Sequence, residues 1–502
     1  VQGVPGQGSG EGSMSATPHS GASPRIATWE LRDLVEWDEK IRAKADEFGL
    51  SYYPQEFELC DHNGMLGYMA YSGMPSHYPH WSYGKSYEKL KTLYDHGVSG
   101  LPYEMVINSN PAIAYLMRDN SLLLQILTIA HVYGHNDFFK NNFTFKSATR
   151  AELTIESFKA AAMRVRRYVE DPSIGVEKVE RILDAAHALS WQCRRNFAIK
   201  KLSPDEQMAR AEDSAQGEID PFQKIHARRT IEVPDFHKIP LEPDEDLLLF
   251  IRDHNPFLAD FEKDLLTIVD EEAKYFISMM ETKIMNEGWA SYWHKKLLES
   301  LDLDQGLHLE FIVNHNQVCR PIPGQINPYH LGLKVWEDIY RRFTNPTKEE
   351  IKRDGPPAKS GMEKLFEVRE VERDASFLRR YLTEELMREM DIFEYEARGE
   401  ELVVSKVADD DGWKEVKATL IKNVGTNSIP VLKVEDADFG QNRTLYVKHD
   451  HDGRDLHIEY AEKSLNYLQR LWGREVVLET VLDGKRSLLC CNDRGFSVRA
   501  LK

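Results

Sequence analysis

Thr128-Ile-Ala-His131-Val-Tyr-Gly134-His135-Asn-Asp137 is the stretch on which the fold and the chemistry of this chain turn. Apolar residues keep helical spacing on both sides of it, so it lies inside a long helix ending near Asn141. Asn110-Pro111 is expected to start that helix, because proline suits a first helical turn. His131 and His135 stand four residues apart, about 40° around an α-helix, so both rings can face one ion. Leu124 and Leu127 share their face, which marks it as buried. Gly134 sits beside them at a position where glycine costs about 1 kcal/mol relative to alanine. A close approach by another backbone or by a ligand would explain it. The alternative is a pair of hydrogen-bonded core histidines, and a third ligand decides between the two.

A third ligand is available in Asn286-Glu-Gly-Trp-Ala-Ser-Tyr-Trp-His294. On a helix Met285, Trp289, Trp293 and Leu297 form an apolar stripe, and Glu287, Ala290, Ser291 and His294 lie opposite. Small residues beside an acid let a neighbouring helix come close, which a carboxylate reaching across helices requires. The alternative for Glu287 is a solvated surface acid. A further group, Glu180-x-x-x-Asp184-x-x-His187, falls within about 60° of one helix face. Asp184 can hold an imidazole tautomer there, or His187 can serve a second metal; the alternative is a solvated face with a local Asp–His hydrogen bond. Gly84-Lys85-Ser86 ends like a phosphate-binding loop, but Pro79 stands where the earlier glycine is needed. His77-x-x-His80 lies in an aromatic loop and reads as recognition or packing rather than ligation.

The chain around these motifs has 502 residues, 64 basic and 82 acidic, a balance of −18 that argues against nucleic acid or an anionic membrane surface as a general partner. With 41% hydrophobic and 29% charged residues it has the composition of a globular protein. The longest apolar run, Leu122 to Val132, is interrupted by Gln125, Thr128 and His131 and is too short to span a bilayer. Five cysteines without a CxxC pair point to a reducing compartment, and with no secretory signal in view the cytoplasm is expected.

Residues 1–24 are dominated by Gly, Ser and Pro and read as a disordered leader. Residues 25–345 read as a helical domain carrying the candidate metal site, and the Pro/Gly cluster at 346–362 as a linker. Over 363–502 helical and alternating periods interleave with short turns, with strands expected near 429–435, 443–449, 455–460, 475–482 and 486–491. The expected class is mainly α, a helical domain followed by a smaller α+β domain.

Several strings together resemble the stage V sporulation protein R family: Gly73-Met-Pro75, His80-Trp-Ser-Tyr-Gly-Lys85, Tyr103-Glu104 with Asn108 to Pro111, His131-Val-Tyr-Gly-His135 running into Phe138-Phe-Lys-Asn-Asn142, Met285 to His294, and Asn327-Pro-Tyr-His-Leu-Gly332. They spread over about 60–335, and Tyr83 stands where the family usually has Phe. The resemblance implies a cytosolic bacterial protein linked to spore cortex formation. In bacteria that do not sporulate it implies a stress pathway shared with a serine protein kinase and a von Willebrand-type protein. It does not supply a reaction.

The order HxxxH, Glu-Gly-Trp-Ala-x-Tyr, then Pro323-Gly-Gln-x-x-x-Tyr329-x-x-Gly332 is also similar to helical zinc peptidases with a glutamate third ligand. That similarity implies a zincin-like domain in which His131, His135 and Glu287 hold zinc or iron, with Tyr329 and Arg320 or His315 facing the substrate. Such enzymes carry a glutamate just after the first histidine, where this chain has Val132. Hydrolysis of a peptide-type bond then needs another base, Glu104 or Asp184. The rival from another class is a regulatory scaffold with a structural or vestigial metal site.

Overall fold

The computed structural model describes residues 29–75, 77–98, 100–195, 199–216, 238–322, 325–392, 394–398, 401–406 and 412–501. The Gly/Ser/Pro-rich leader, much of the charged connection expected over 202–240, Pro323-Gly324 and the Arg398-Gly399 turn lie wholly or partly outside them.

The chain forms two compact units, neither continuous in sequence: Val1–Arg164 with Tyr275–Ser428, and Val165–Lys274 with Ile429–Lys502. The Pro/Gly cluster at 346–362 lies inside the first of these units. The Lys348–Asp354 helix occupies much of it. Beyond it, Leu365, Val368, Phe377 and Leu378 enter the same apolar core as Ile126, Ile129 and Trp289. Proline and glycine punctuate helices there, but the apolar residues that follow keep the chain in the first unit.

That core is organised by two helices, Leu122–Asn141 and Lys283–Glu299, which pack side by side, with Pro328–Thr344 against the second. Gln125 through Phe139 is buried without interruption, as is Ile284 through His294. Neither helix therefore has the polar face of a surface helix. The apolar stripe of Met285, Trp289 and Trp293 and the opposite side with Glu287 and Ser291 are both covered.

Two glycine contacts set the spacing. A Cβ on Gly134 would stand 2.7 Å from the Ala290 Cα, and one on Gly288 would stand 2.3 Å from the Gly332 carbonyl carbon. The close approach foreseen at Gly134 is thus a backbone. The start of the second helix is capped from far along the chain: the Asp374 carboxylate accepts the Ile284 and Met285 N–H groups, each at 2.9 Å. Burial pushes the Asp374 carboxyl up to about 8.

The first unit also holds a three-stranded sheet. Ala112–Met117 lies at its centre, parallel to Gln55–Cys60 and antiparallel to Glu104–Ile107. The long helix consequently does not begin at Asn110-Pro111. The β-forming run Ala112-Ile-Ala-Tyr-Leu-Met117 pairs on both edges, and the helix starts at Leu122, where the Ser121 hydroxyl accepts the Leu124 N–H.

The second unit is α+β. Its five-stranded sheet runs Gly495–Ala500, Lys485–Asn492, Val476–Leu482, Thr444–His449, Leu432–Phe439. Thr444–His449 and Val476–Leu482 are parallel, so a crossover must join them. Ile458–Trp472 is that crossover, a helix burying Leu465, Leu468, Leu471 and Trp472. The strand expected at 455–460 therefore gives way to the first turn of this helix. Gly175–Leu189 packs against the same helix. The Asp244–Val434 bridge ties the two sequence segments of the unit together, as do bonds from Gln192 and Arg195 to the Pro430 carbonyl. Among the described residues no helix is long and apolar enough to cross a membrane.

Candidate metal centre

Side-by-side packing of the two central helices brings three polar side chains together in the core. The Glu287 Oε2 lies 3.7 Å from the His131 Nε2 and 3.6 Å from the His135 Nε2. Glu104 arrives from the sheet, and its carboxylate and the two imidazoles have ligand atoms within 4.8 Å of one another. All four residues are at most 1% exposed.

The outer ring nitrogens show which atoms are free. An amide oxygen can only accept, so the 2.8 Å contact to Asn286 Oδ1 makes the His135 Nδ1 a donor. The His131 Nδ1 lies 2.9 Å from the His294 Nδ1. The His135 Nε2 is thereby left as an acceptor, and the His131 Nε2 stands beside it. They and both Glu287 oxygens are buried without a hydrogen-bond partner. Orphaned acceptors converging in a protein core are costly unless a cation satisfies them. Ligands about 2.0–2.2 Å from a tetrahedral ion stand roughly 3.3–3.6 Å apart, close to the separations at Glu287. The buried group of Glu104, His131 and His135, with Glu287 beside it, can hold a metal ion.

The electrostatics agree with that chemistry. Burial pushes His131 down to about 3 and His135 down to about 4, so both imidazoles are neutral, the form that binds metal. Burial also raises the Glu287 carboxyl, with His135 and Lys283 opposing the shift. A nearby cation would restore its charge. The Tyr329 phenol is held well above its ordinary range, by burial first and by Glu287 next. Its hydroxyl is enclosed while the residue as a whole is half-buried, and its ring centre lies 6.2 Å from that of His131.

Other expected site residues fall elsewhere. Arg320 is exposed, and its backbone carbonyl accepts from the Asn327 side chain. Asp184 and His187 are half-buried on Gly175–Leu189 in the second unit, and among the described residues the metal-capable group draws only on Glu104, His131 and His135 beside Glu287. His315 lies behind His294, with its Nδ1 2.7 Å from the His294 Nε2. Sequence reading missed that link and the Asn286 contact. The only signals were an asparagine next to Glu287 and His294 seven residues on.

Four buried imidazoles make stability depend on acid. His131, His135, His294 and His315 all titrate below the ordinary 6.5 because burial disfavours their charge. Unfolded chains bind protons on them as pH falls through about 6.5, whereas His315 in the folded protein does so near 4. Stability is fully present above the unfolded value and is lost as pH falls toward the folded one. The raised Glu287 carboxyl acts in the opposite sense above pH 4.5. In metal-free protein, His315→Phe is expected to flatten the stability–pH slope by up to about 1.4 kcal/mol per pH unit over this window. Urea titrations across the window check it, and an unchanged slope would contradict the assignment.

The family matches divide the chain once, and the first of them takes in residues of both units. The family described as SpoVR like protein matches residues 28–429. The SpoVR-like C-terminal domain matches 430–483, so the junction falls where the second unit's last segment begins. The uncharacterized protein YcgB of Escherichia coli strain K12 is 33% identical over 479 residues, which cover 90% of this chain and 92% of that protein. No solved structure matches the chain. With both family regions in order along it, and a relative aligned over nearly its whole length, the chain belongs to the SpoVR like protein family.

Proposed function

We propose that this chain is a metal-dependent, zincin-like hydrolase, or derives from one, and acts on a peptide-type bond in a sporulation, cell-envelope or stress pathway. The observation that carries the reading is the convergence of two unpaired Nε2 atoms and an unpaired carboxylate in the core. His131, His135 and Glu287 would hold the ion, zinc or iron. A divalent cation bound there supplies Lewis-acid chemistry, polarising a carbonyl and acidifying water. Glu104 is the base in place of the glutamate absent at Val132, taking a proton from the attacking water. The Tyr329 hydroxyl donates to the oxygen on which charge develops. A cytoplasmic location, and contact with a serine protein kinase and a von Willebrand-type protein, belong to the same proposal and rest on the family resemblance.

One observation favours a second reading. Burial of all four residues to at most 1% exposure suits a closed shell in which Glu104 fills the fourth position and the metal is structural.

Purified protein is expected to carry near one equivalent of zinc or iron by elemental analysis, and His135→Ala to empty the site. Wild-type protein that stays metal-free and cannot be loaded would remove both readings. A peptide and muropeptide library read by mass spectrometry separates them, since a structural site turns nothing over.

A further inference from the structure

Behind the proposed ligands runs a line of imidazoles. The His131 Nδ1 lies 2.9 Å from the His294 Nδ1, and the His294 Nε2 lies 2.7 Å from the His315 Nδ1. His294 is wholly buried and His315 is 8% exposed. Each is supplied by a different turn of the fold. His131 comes from Leu122–Asn141, His294 from Lys283–Glu299 two turns after Glu287, and His315 from the last turn of Gln305–Val318.

A row of neutral imidazoles has only two hydrogen arrangements, one the reverse of the other. A cation bound at the His131 Nε2 needs that nitrogen bare, which places the ring hydrogen on the His131 Nδ1. The His294 Nδ1 must then accept, its Nε2 must carry hydrogen, and the His315 Nδ1 must accept in turn. The opposite arrangement would put hydrogen on the His131 Nε2, the atom that faces Glu287 at 3.7 Å. Imidazole ligands usually donate their outer N–H to a carboxylate, a carbonyl or water. His135 follows that pattern through Asn286, whereas His131 is backed by another imidazole that can point either way and so needs its own partner.

We propose that His294 and His315 are positioning residues of the centre: a one-directional imidazole chain that commits His131 to presenting a bare Nε2 to a divalent cation. This deepens the metal-centre reading and rests on it. His294 takes the His131 hydrogen, and His315 takes the His294 Nε2 hydrogen in turn. Lys295 and Glu337, the charged groups nearest His315 from the helices packed on it, act on its charge in opposite directions, and Cys319 on its own helix lies 4.0 Å from its Nδ1.

The test uses full-length protein stripped of metal and titrated with Zn(II) and Co(II) against a chromophoric chelator. His294→Leu is expected to weaken binding by about 10–100-fold. His294→Asn, whose Oδ1 occupies much the place of the imidazole Nδ1, should recover most of that loss. His315→Phe, which keeps the ring volume, should weaken binding by a smaller factor. Long-range proton–nitrogen NMR of histidine-labelled, metal-free wild type is expected to show His131 with hydrogen on Nδ1 and His294 with hydrogen on Nε2. Unchanged Zn(II) affinity in His294→Leu, or hydrogen on the His131 Nε2, would overturn the proposal. If the wild type itself bound neither ion, the metal-centre reading would fall, while the tautomers would still decide the direction of the chain.

Discussion

Gly288→Ala is expected to cost the protein much of its stability, although it adds one carbon to a helix interior. The added Cβ would stand 2.3 Å from the carbonyl carbon and 2.4 Å from the Cα of Gly332, and 2.7 Å from the Leu333 nitrogen. All three are backbone atoms, so no rotamer change relieves the clash, and the helices must move apart. Overpacking a core typically costs about 1–3 kcal/mol. Separating this pair also opens the contacts of Trp289 with Trp336 and the bond from Trp336 to the Met285 carbonyl, so the loss should sit at or above the upper end. Against total stabilities of about 5–15 kcal/mol that is a large fraction. Gly332→Ala should behave alike, since its Cβ would meet the Ile284 carbonyl oxygen at 2.1 Å. Gly67, also in a helix but with nothing within 4 Å of an added Cβ, is the control. Its change to alanine should be neutral or stabilising by up to about 1 kcal/mol. Urea midpoints at constant slope distinguish the two classes, and a Gly288→Ala midpoint matching the wild type would mean that the helices are not packed at this distance.

The parts of the structure that could be read beforehand depend on short-range spacing. His131 and His135 share a helix face because of the helical repeat alone. Gly134 and Ala290 announced a close helix contact by their size, and Pro328–Thr344 was bounded by its own Asn-Pro cap. What escaped depends on partners remote in sequence. Ala112–Met117 is a strand because Gln55–Cys60 and Glu104–Ile107 flank it, and nothing local outweighed the helix signal of Asn110-Pro111. The two compact units interleave because Asp244 bridges to Val434, a pairing without any trace in composition. At the site, Glu104 was named only as a candidate base, and its place beside the two imidazoles follows from sheet register. Arg320 was named from the similarity to helical zinc peptidases, and its side chain is exposed.

Glu104→Gln is expected to lower hydrolysis by about 10²–10⁴-fold, the usual contribution of a positioned acid or base, with metal content unchanged. The reason lies in where the strand delivers the side chain. Glu104 pairs opposite Leu116 in the antiparallel register and is wholly buried, so its carboxylate is held by a sheet rather than by a loop. Glutamine keeps that length and shape but cannot take a proton. If Glu104 is instead the fourth ligand of a closed structural shell, the same change should weaken Zn(II) binding, and the wild type should cleave nothing. Comparing rate and metal affinity in one variant therefore separates the two readings of the centre. Val132→Glu completes the test by restoring the glutamate in its usual place on the helix. Val132 is 0% exposed, so a carboxylate there should destabilise the fold unless it reaches the ion. A Glu104→Gln, Val132→Glu protein that regains turnover would show that the reaction needs a base at the metal and is indifferent to which element supplies it. One that binds metal but stays inactive would show that the direction from which Glu104 approaches is itself required.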